Sequence, residues 1–257
     1  MSNLVGLESR GLVKLFGGRP VIDGLDLHIR SGEFSVVLGP SGAGKTTLLR
    51  CLAGLLPVTS GELTINGHPV TGVPAEVAVV FQDYSKSLYP WKTLKENVLF
   101  AVRKLDKKTA NDRAVTAMER VGLTDAADLY PWQVSGGMQQ RATLARALVS
   151  QAPLVMMDEP FASVDALTKI HLEQLLLSLW TETPFTCIFV THDIEEAVLM
   201  GDRLFVLSGR PTRLLEEYEV DLPRPRDHIQ TKSLARFAEL REKTFDLIEG
   251  SGTAASG

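Results

Sequence analysis

The run Phe34-Ser35-Val36-Val37-Leu38-Gly39-Pro40-Ser41-Gly42-Ala43-Gly44-Lys45-Thr46-Thr47-Leu48-Leu49 decides the fold. Its first five residues are apolar at nearly every position, as in a strand of a parallel sheet covered on both faces. The next eight, Gly39 to Thr46, fit the pattern G-x-x-x-x-G-K-[ST] in full, and the chain then opens into a helix from Thr47 to Ala53. Strand, glycine loop, helix is the context that turns a pattern match into a mechanism. Glycines let backbone N–H groups converge on phosphate oxygens, and the helix N-terminus adds partial positive charge. Gly39, Pro40, Ser41, Gly42, Ala43, Gly44, Lys45, Thr46 and Thr47 are therefore the candidate nucleotide-binding residues. Lys45 would reach the β- and γ-phosphates, and the Thr46 hydroxyl would bind magnesium.

Further apolar runs, Leu154–Met157, Cys187–Val190 and Leu204–Leu207, repeat the character of the first strand, and Val77–Phe81 adds another. Helical spacing lies between them: Ala114, Ala117, Met118 and Val121 recur at i, i+3, i+4 and i+7, as do Leu172, Leu175, Leu176 and Leu179. Buried strands alternating with amphipathic helices predict an α/β fold with a parallel core sheet. The period-2 patterns of Leu25, Leu27 and Ile29, and of Leu63 and Ile65, add half-buried strands in the first third. No convincing strand lies between about 83 and 150, which predicts an inserted helical subdomain. Asp221–Asp227 reads as an extended, proline-bearing linker. A short C-terminal helical extension follows over 226–249, and 250–257 are expected to be a disordered tail.

At 257 residues the chain exceeds what one small core needs, and 27 basic against 31 acidic residues give a net charge of −4. That balance is no nucleic-acid footprint. Cys51 and Cys187 permit one disulfide at most and no zinc-ligand spacing, which fits a reduced chain whose thiols are small buried hydrophobes. The apolar runs are too short to span a membrane, and the first residues lack the pattern of a secretory signal. A cytoplasmic protein is expected.

Two further motifs carry chemistry. Asp158-Glu159 ends an apolar strand: Asp158 is placed to hold Mg²⁺ beside the phosphate loop, and Glu159 to polarise an attacking water. Ser135-Gly136-Gly137 precedes a helix with Ala142, Ala145 and Val149 on one face. It reads either as a second anion-binding helix N-terminus, for a second nucleotide shared across a dimer, or as a plain N-cap with flexible glycines. His192 sits at the end of Thr186–Thr191, before an Asp193…Glu196 capping box. The other histidines, His28, His68, His171 and His228, read as surface residues.

The ordered set Gly39–Thr46, Gln82, Ser135-Gly136-Gly137, Asp158-Glu159, Asp165 and His192 resembles the nucleotide-binding subunit of ATP-binding cassette (ABC) transporters over roughly residues 5–220. The resemblance implies a P-loop NTPase core with a parallel sheet, an antiparallel β subdomain and an inserted helical subdomain at about 83–150, together forming an ABC ATPase domain over 1–225. It implies ATP and Mg²⁺ as ligands, with Phe16 stacking on adenine and Gln82 touching Mg²⁺ and the water. Ser135 and Gly137 would contact the γ-phosphate of the opposite subunit, Asp165 would lie in a loop crossing the dimer interface, and His192 would sense the γ-phosphate. Val134, Met138, Phe16 and Val164 depart from the commonest residues of the pattern without removing its phosphate chemistry.

The region Gln82–Leu94, with Tyr89, Pro90 and Trp91, reads either as a socket for a partner helix or as a packed loop with Trp91 in a core. Tyr89-Pro90-Trp91, Gly209–Arg213 and Asp221–Arg226 are similar to ATPases of nitrate, sulfonate, taurine and bicarbonate importers. That similarity implies a second ATPase subunit (this chain again in a homodimer, or a sister ATPase), transmembrane permease subunits, a substrate-binding protein, no nucleic acid, and a place on the cytoplasmic face of the inner membrane. An exporter ATPase is the nearest rival. A soluble ABC ATPase would carry a second cassette or long coiled coil, and a P-loop kinase would lack Ser135-Gly136-Gly137 and His192.

Overall fold

The computed structural model describes residues 5–83 and 87–253 and divides them into two compact units. Residues up to 77, 153–158 and 184 onward form the first, and residues 78–152 and 159–183 the second. The strands are β1 (Leu7–Phe16), β2 (Arg19–Ile29), β3 (Phe34–Leu38), β4 (Ser60–Ile65), β5 (His68–Pro69), β6 (Val77–Val80), β7 (Leu154–Asp158), β8 (Thr186–Thr191), β9 (Arg203–Leu207) and β10 (Leu214–Glu219). The helices are α1 (Lys45–Leu52), α2 (Leu94–Ala101), α3 (Lys107–Arg120), α4 (Gly136–Leu148), α5 (Ala166–Glu182), α6 (Ile194–Met200) and α7 (Ala235–Thr253).

In the first unit β3 pairs in parallel with β8 on one side and β9 on the other, β7 extends the sheet beside β8, and β10 closes its far edge antiparallel to β9. Every residue of β3, β7, β8 and β9 is buried, as expected for strands covered on both faces. The edge strand β10 alternates half-buried and exposed positions instead. A separate antiparallel sheet, ordered β2-β1-β4-β5, carries the period-2 patterns of Leu25, Leu27, Ile29, Leu63 and Ile65, all buried. Cys51 and Cys187 are both free and buried, so no disulfide joins them; desolvation raises both thiol pKa values.

The stretch expected to be a linker is pinned to this unit. Arg226 is buried and donates to four backbone oxygens, those of Leu199, Gly201, Val220 and Leu222, and burial lowers its pKa to about 10. Arg224 forks onto Asp202 with Nη2 to Oδ1 at 2.7 Å. A composition of Pro and Arg reports exposure on average and misses a guanidinium that satisfies several carbonyls at once. Helix α7 runs to Thr253, past the expected limit at 249, and 254–257 lie outside the described residues. Of the other histidines, His28, His68 and His171 are exposed and His228 is half-buried.

The second unit is larger than the expected insertion, because 159–183 belongs to it as well. Its core gathers the predicted apolar stripes: Ala114, Ala117, Met118 and Val121 of the α3 segment, Ala142, Ala145 and Val149 of the α4 segment, and Leu179 of α5. A capping box starts α2, with Thr93 Oγ1 accepting from Glu96 N–H at 3.2 Å and Glu96 accepting from Thr93 N–H at 2.8 Å. One polar side chain organises the loop before it. Asn97, fully buried, accepts from Tyr89 N–H at 2.7 Å and donates to the carbonyls of Tyr89, Lys92 and Thr93 at 3.2, 3.1 and 2.9 Å. This loop presents Trp91 outward at 70% exposure, leaning on Tyr89 with ring centroids 5.4 Å apart. The packed-core alternative for Trp91 is thereby excluded, while Tyr84-Ser85-Lys86 of the same stretch lie outside the described residues. Trp132, at 72% exposure and stacked on Tyr130, is a second outward aromatic.

Asn97→Ala removes the partner of Tyr89 N–H while keeping helix propensity. It is expected to cost about 2–3 kcal/mol in urea denaturation. A loss below about 0.5 kcal/mol, the usual size of a surface substitution, would show that water replaces the hub.

Candidate functional site

The parallel register decides which residues meet. Leu38 pairs with Thr191 of β8 and Val206 of β9, and Asp158 of β7 pairs with Val190. The carboxyl ends of these strands therefore share one edge of the sheet, where ligands of open α/β sheets bind. That edge brings together Gly39–Thr47, Asp158 and His192, all within the first unit.

Between β3 and α1 the chain must turn through conformations that favour glycine, and Gly42 and Gly44 stand there at φ 78° and 102°. Gly44 caps α1 in the left-handed region, and a Cβ on it would lie 2.7 Å from Thr212 Oγ1 and 2.9 Å from Val21 Cγ1. Ser41 and Gly42 are exposed, whereas Ala43, Gly44 and Lys45 are buried. Lys45 folds its ammonium onto the loop, donating to the carbonyls of Gly39 at 2.9 Å and Pro40 at 3.0 Å. Its charge is therefore held at the loop. Thr46 Oγ1 donates to Asp158 Oδ1 at 3.2 Å. Two hard oxygen donors side by side, next to the glycine loop, suit magnesium, which takes one or two protein oxygens and completes its shell with other oxygen ligands and water.

Phe16 ends β1 half-exposed, its ring 5.1 Å from the Lys14 ammonium. His192 is exposed directly after β8. The capping arrangement behind it differs from the expected box. Asp193 accepts from the N–H groups of Glu195 at 2.9 Å and Glu196 at 3.2 Å, but the return arm runs through Thr191. The Thr191 hydroxyl accepts from Asp193 N–H at 3.0 Å and donates to the Glu196 carboxylate. A cavity of about 690 Å³ lies beside His192, lined by Glu195 and by Arg241, Glu242 and Phe245 of α7. Lys232 and Arg241 pair with Glu195 at 2.9 and 3.3 Å and hold its carboxyl below the usual range. Sequence patterns gave no signal for this pairing, because it joins segments about 40 residues apart.

The second unit holds the remaining candidates. Gln82 is exposed, two residues past the end of β6. Glu159 is half-buried at φ 44°, a left-handed conformation that a non-glycine residue adopts only under constraint. Ser135 is the N-cap of α4, its Oγ accepting from Met138 N–H at 3.3 Å. Gly137 has a packing role, since a Cβ there would come within 2.7 Å of the Thr168 methyl. Asp165 caps α5, accepting from Thr168 N–H at 3.0 Å, and the bonds to Thr168 hold its carboxyl below the usual range. Buried Gln140, unremarked in the sequence, donates to the carbonyl of Pro160, next to Glu159.

A glycine-rich phosphate loop at the carboxyl edge of a parallel sheet, with a strand-end aspartate against its threonine, defines a P-loop nucleoside-triphosphatase core. A model of the family described as "ABC transporter" matches residues 22–162. The chain belongs to the ABC transporter family, as an ABC ATPase. It is 43% identical over 242 residues to the aliphatic sulfonates import ATP-binding protein SsuB 2 of Pseudomonas savastanoi pv. phaseolicola, covering 94% of this chain and 83% of that protein. It is 42% identical over 232 residues to the taurine import ATP-binding protein TauB of Roseobacter denitrificans, covering 87% and 85%. Among solved structures, the dimeric post-hydrolysis ATP-binding cassette MJ0796, bound to ADP and Pi, is similar with a TM-score of 0.71 at 28% identity, covering 83% of this chain and 98% of that one.

Gly44→Ala sets a Cβ against Thr212 and Val21 in a backbone region unfavourable to alanine. It is expected to destabilise the protein by about 2–3 kcal/mol, read from the thermal midpoint. An unchanged midpoint would mean the loop relaxes to φ < 0 at no cost.

Proposed function

We propose that the chain is the ATP-hydrolysing subunit of an importer for a small anionic solute, such as a sulfonate, taurine or nitrate. The observation that carries the chemistry is the pairing of Thr46 with Asp158 beside the Lys45-bearing loop. The names of the sulfonate and taurine import relatives support the direction and the solute class. Among the described residues no helix is long and apolar enough to cross a membrane, and the proposal places the permease in separate subunits. A substrate-binding protein would deliver the solute, and the subunit would sit peripherally at the inner membrane's cytoplasmic face.

On this reading Gly39–Thr47 cradle the triphosphate and Lys45 releases its loop carbonyls to take β- and γ-phosphate oxygens. Phe16 offers its exposed ring to the adenine. Thr46, Asp158 and Gln82 hold Mg²⁺, which when bound neutralises charge on the β- and γ-phosphates. Glu159 orients the attacking water and accepts its proton on a carboxylate oxygen. His192 bonds the γ-phosphate. Ser135, Gly136 and Gly137 of a second copy close on that phosphate, with Asp165 at the interface between copies. The likeness to a cassette solved as a dimer supports the two-copy arrangement. Exposed Trp91, on the loop fixed by Asn97, offers a surface for the permease.

Glu159→Gln is expected to keep ATP binding, lower hydrolysis by about 10²-fold or more, and elute as a dimer in Mg-ATP. Lys45→Ala is expected to weaken ATP binding and stay monomeric. Equal dimerisation of the two variants on size exclusion would contradict this division of roles. For transport, an affinity-tagged copy extracted from native membranes is expected to bring down a multi-span permease. Recovery of soluble partners alone would leave the ATPase chemistry and overturn the importer reading.

A further inference from the structure

Thr212, in the turn Ser208–Arg213 between β9 and β10, is wholly buried. Its backbone is tied to β2: Thr212 N–H donates to the Val21 carbonyl at 2.8 Å, and its own carbonyl accepts from Asp23 N–H at 3.1 Å. The turn is closed from within, since Ser208 N–H donates to the Arg213 carbonyl at 2.9 Å and Ser208 Oγ accepts from Arg213 N–H at 2.9 Å. Arg213 pairs in addition with Asp23, Nη2 to Oδ2 at 2.5 Å. Thr212 is thus fixed by contacts that do not involve the phosphate loop.

Its side chain reaches that loop. The Thr212 hydroxyl donates to the carbonyl of Ala43. A trans peptide is planar, with C=O and N–H pointing in opposite directions. Holding the Ala43 carbonyl toward Thr212 therefore aims the N–H of Gly44 away from it. Gly44 lies at φ 102°, where glycine alone is unstrained, so its own backbone sets little resistance to rotation of that peptide. A Cβ built on Gly44 would lie 2.7 Å from Thr212 Oγ1, so the threonine side chain sits directly against this point of the loop.

We propose that Thr212 is a positioning residue for nucleotide binding, its hydroxyl locking the Ala43–Gly44 peptide so that the Gly44 N–H is preset as a phosphate donor. The proposal rests on the reading of Gly39–Thr46 as the phosphate loop. In its absence the peptide can rotate and present a carbonyl oxygen where a phosphate oxygen must sit. Preset donors matter most for ground-state binding of the triphosphate, so the loss falls on affinity before turnover.

The test is calorimetric titration of the full chain with Mg-ATP, with steady-state hydrolysis and the thermal midpoint alongside, for the wild type, Thr212→Val, Thr212→Ser, Thr212→Ala and Lys45→Ala. Thr212→Val keeps the shape and removes the hydroxyl. It is expected to raise the Kd about tenfold while kcat at saturating ATP stays within twofold, and Thr212→Ser is expected to restore the Kd to within twofold. Thr212→Ala is expected to bind as weakly as Thr212→Val and carries the test if the valine variant does not fold. A wild-type Kd in Thr212→Val or Thr212→Ala, with or without a lower thermal midpoint, overturns the proposal. So does a serine variant as weak as valine. If Lys45→Ala also binds as tightly as wild type, the phosphate-loop reading itself has failed; weak binding by Lys45→Ala beside normal binding by Thr212→Val removes the positioning role alone.

Discussion

The first unit depends on keeping one short strand, Phe34–Leu38, dry between two parallel partners. Parallel pairing allows no hairpin, so each neighbour must be delivered by a crossover, and its carboxyl end then falls on the same side as that of β3. Residues 158 and 192, far from the glycine loop in sequence, reach it only through this register. The site is thus a consequence of strand burial: with Leu38 opposite Thr191 and Val190 opposite Asp158, the loop, the acid and the histidine have nowhere else to go.

The same burial forces polar groups into dry places, and the structure satisfies them as networks. Arg203, in fully buried β9, donates to the His28 carbonyl at 2.8 Å and pairs with Glu33 at 3.1 Å and with Glu217. A buried pair of this kind adds little net stability over an apolar substitute, but losing one partner leaves an uncompensated charge. Its effect is to tie the β2 end, the β3 start and the edge strand β10 in one register. Arg226 does the same for the segment after β10 through four carbonyls, with Asp202 Oδ1 3.8 Å from its Nη2. Both arginines act on backbone or charge partners at long sequence separation.

That separation explains what was legible beforehand. Runs such as Leu154–Met157 and spacings such as Ala114, Ala117, Met118 and Val121 are local, and strands and helices stand where these patterns lie. The glycine loop was legible for the same reason, since strand, turn and helix are consecutive. Asn97, Thr212, Gln140 and Arg226 were not, because each works through a carbonyl or amide that carries no side-chain signature. The second unit also takes in 159–183, beyond the stretch that local patterns mark. Leu172, Leu176 and Leu179 announce a buried helix face but cannot say which core receives it. The capping box after His192 failed by one relay, as Thr191 intervenes between two acids that the pattern would pair directly.

The two readings of Ser135, helix cap or phosphate ligand, need not compete. A hydroxyl has two acceptor lone pairs and one donor proton. The cap uses an acceptor site, with Met138 N–H pointing at Ser135 Oγ. A phosphate oxygen asks for the opposite, a proton donated to it. Fixing the oxygen by the cap restricts the hydroxyl to directions from which its proton can point out of the helix N-terminus, where the dipole also favours negative charge. On the proposed reading the cap would orient the Ser135 hydroxyl instead of consuming it. The same logic covers Asp165, whose carboxylate is held by Thr168 while Thr168 lies where any Cβ on Gly137 would fall. The glycine, the threonine and the aspartate are one packing unit, so the proposed dimer-facing residues are set by contacts within a single copy before a second one arrives.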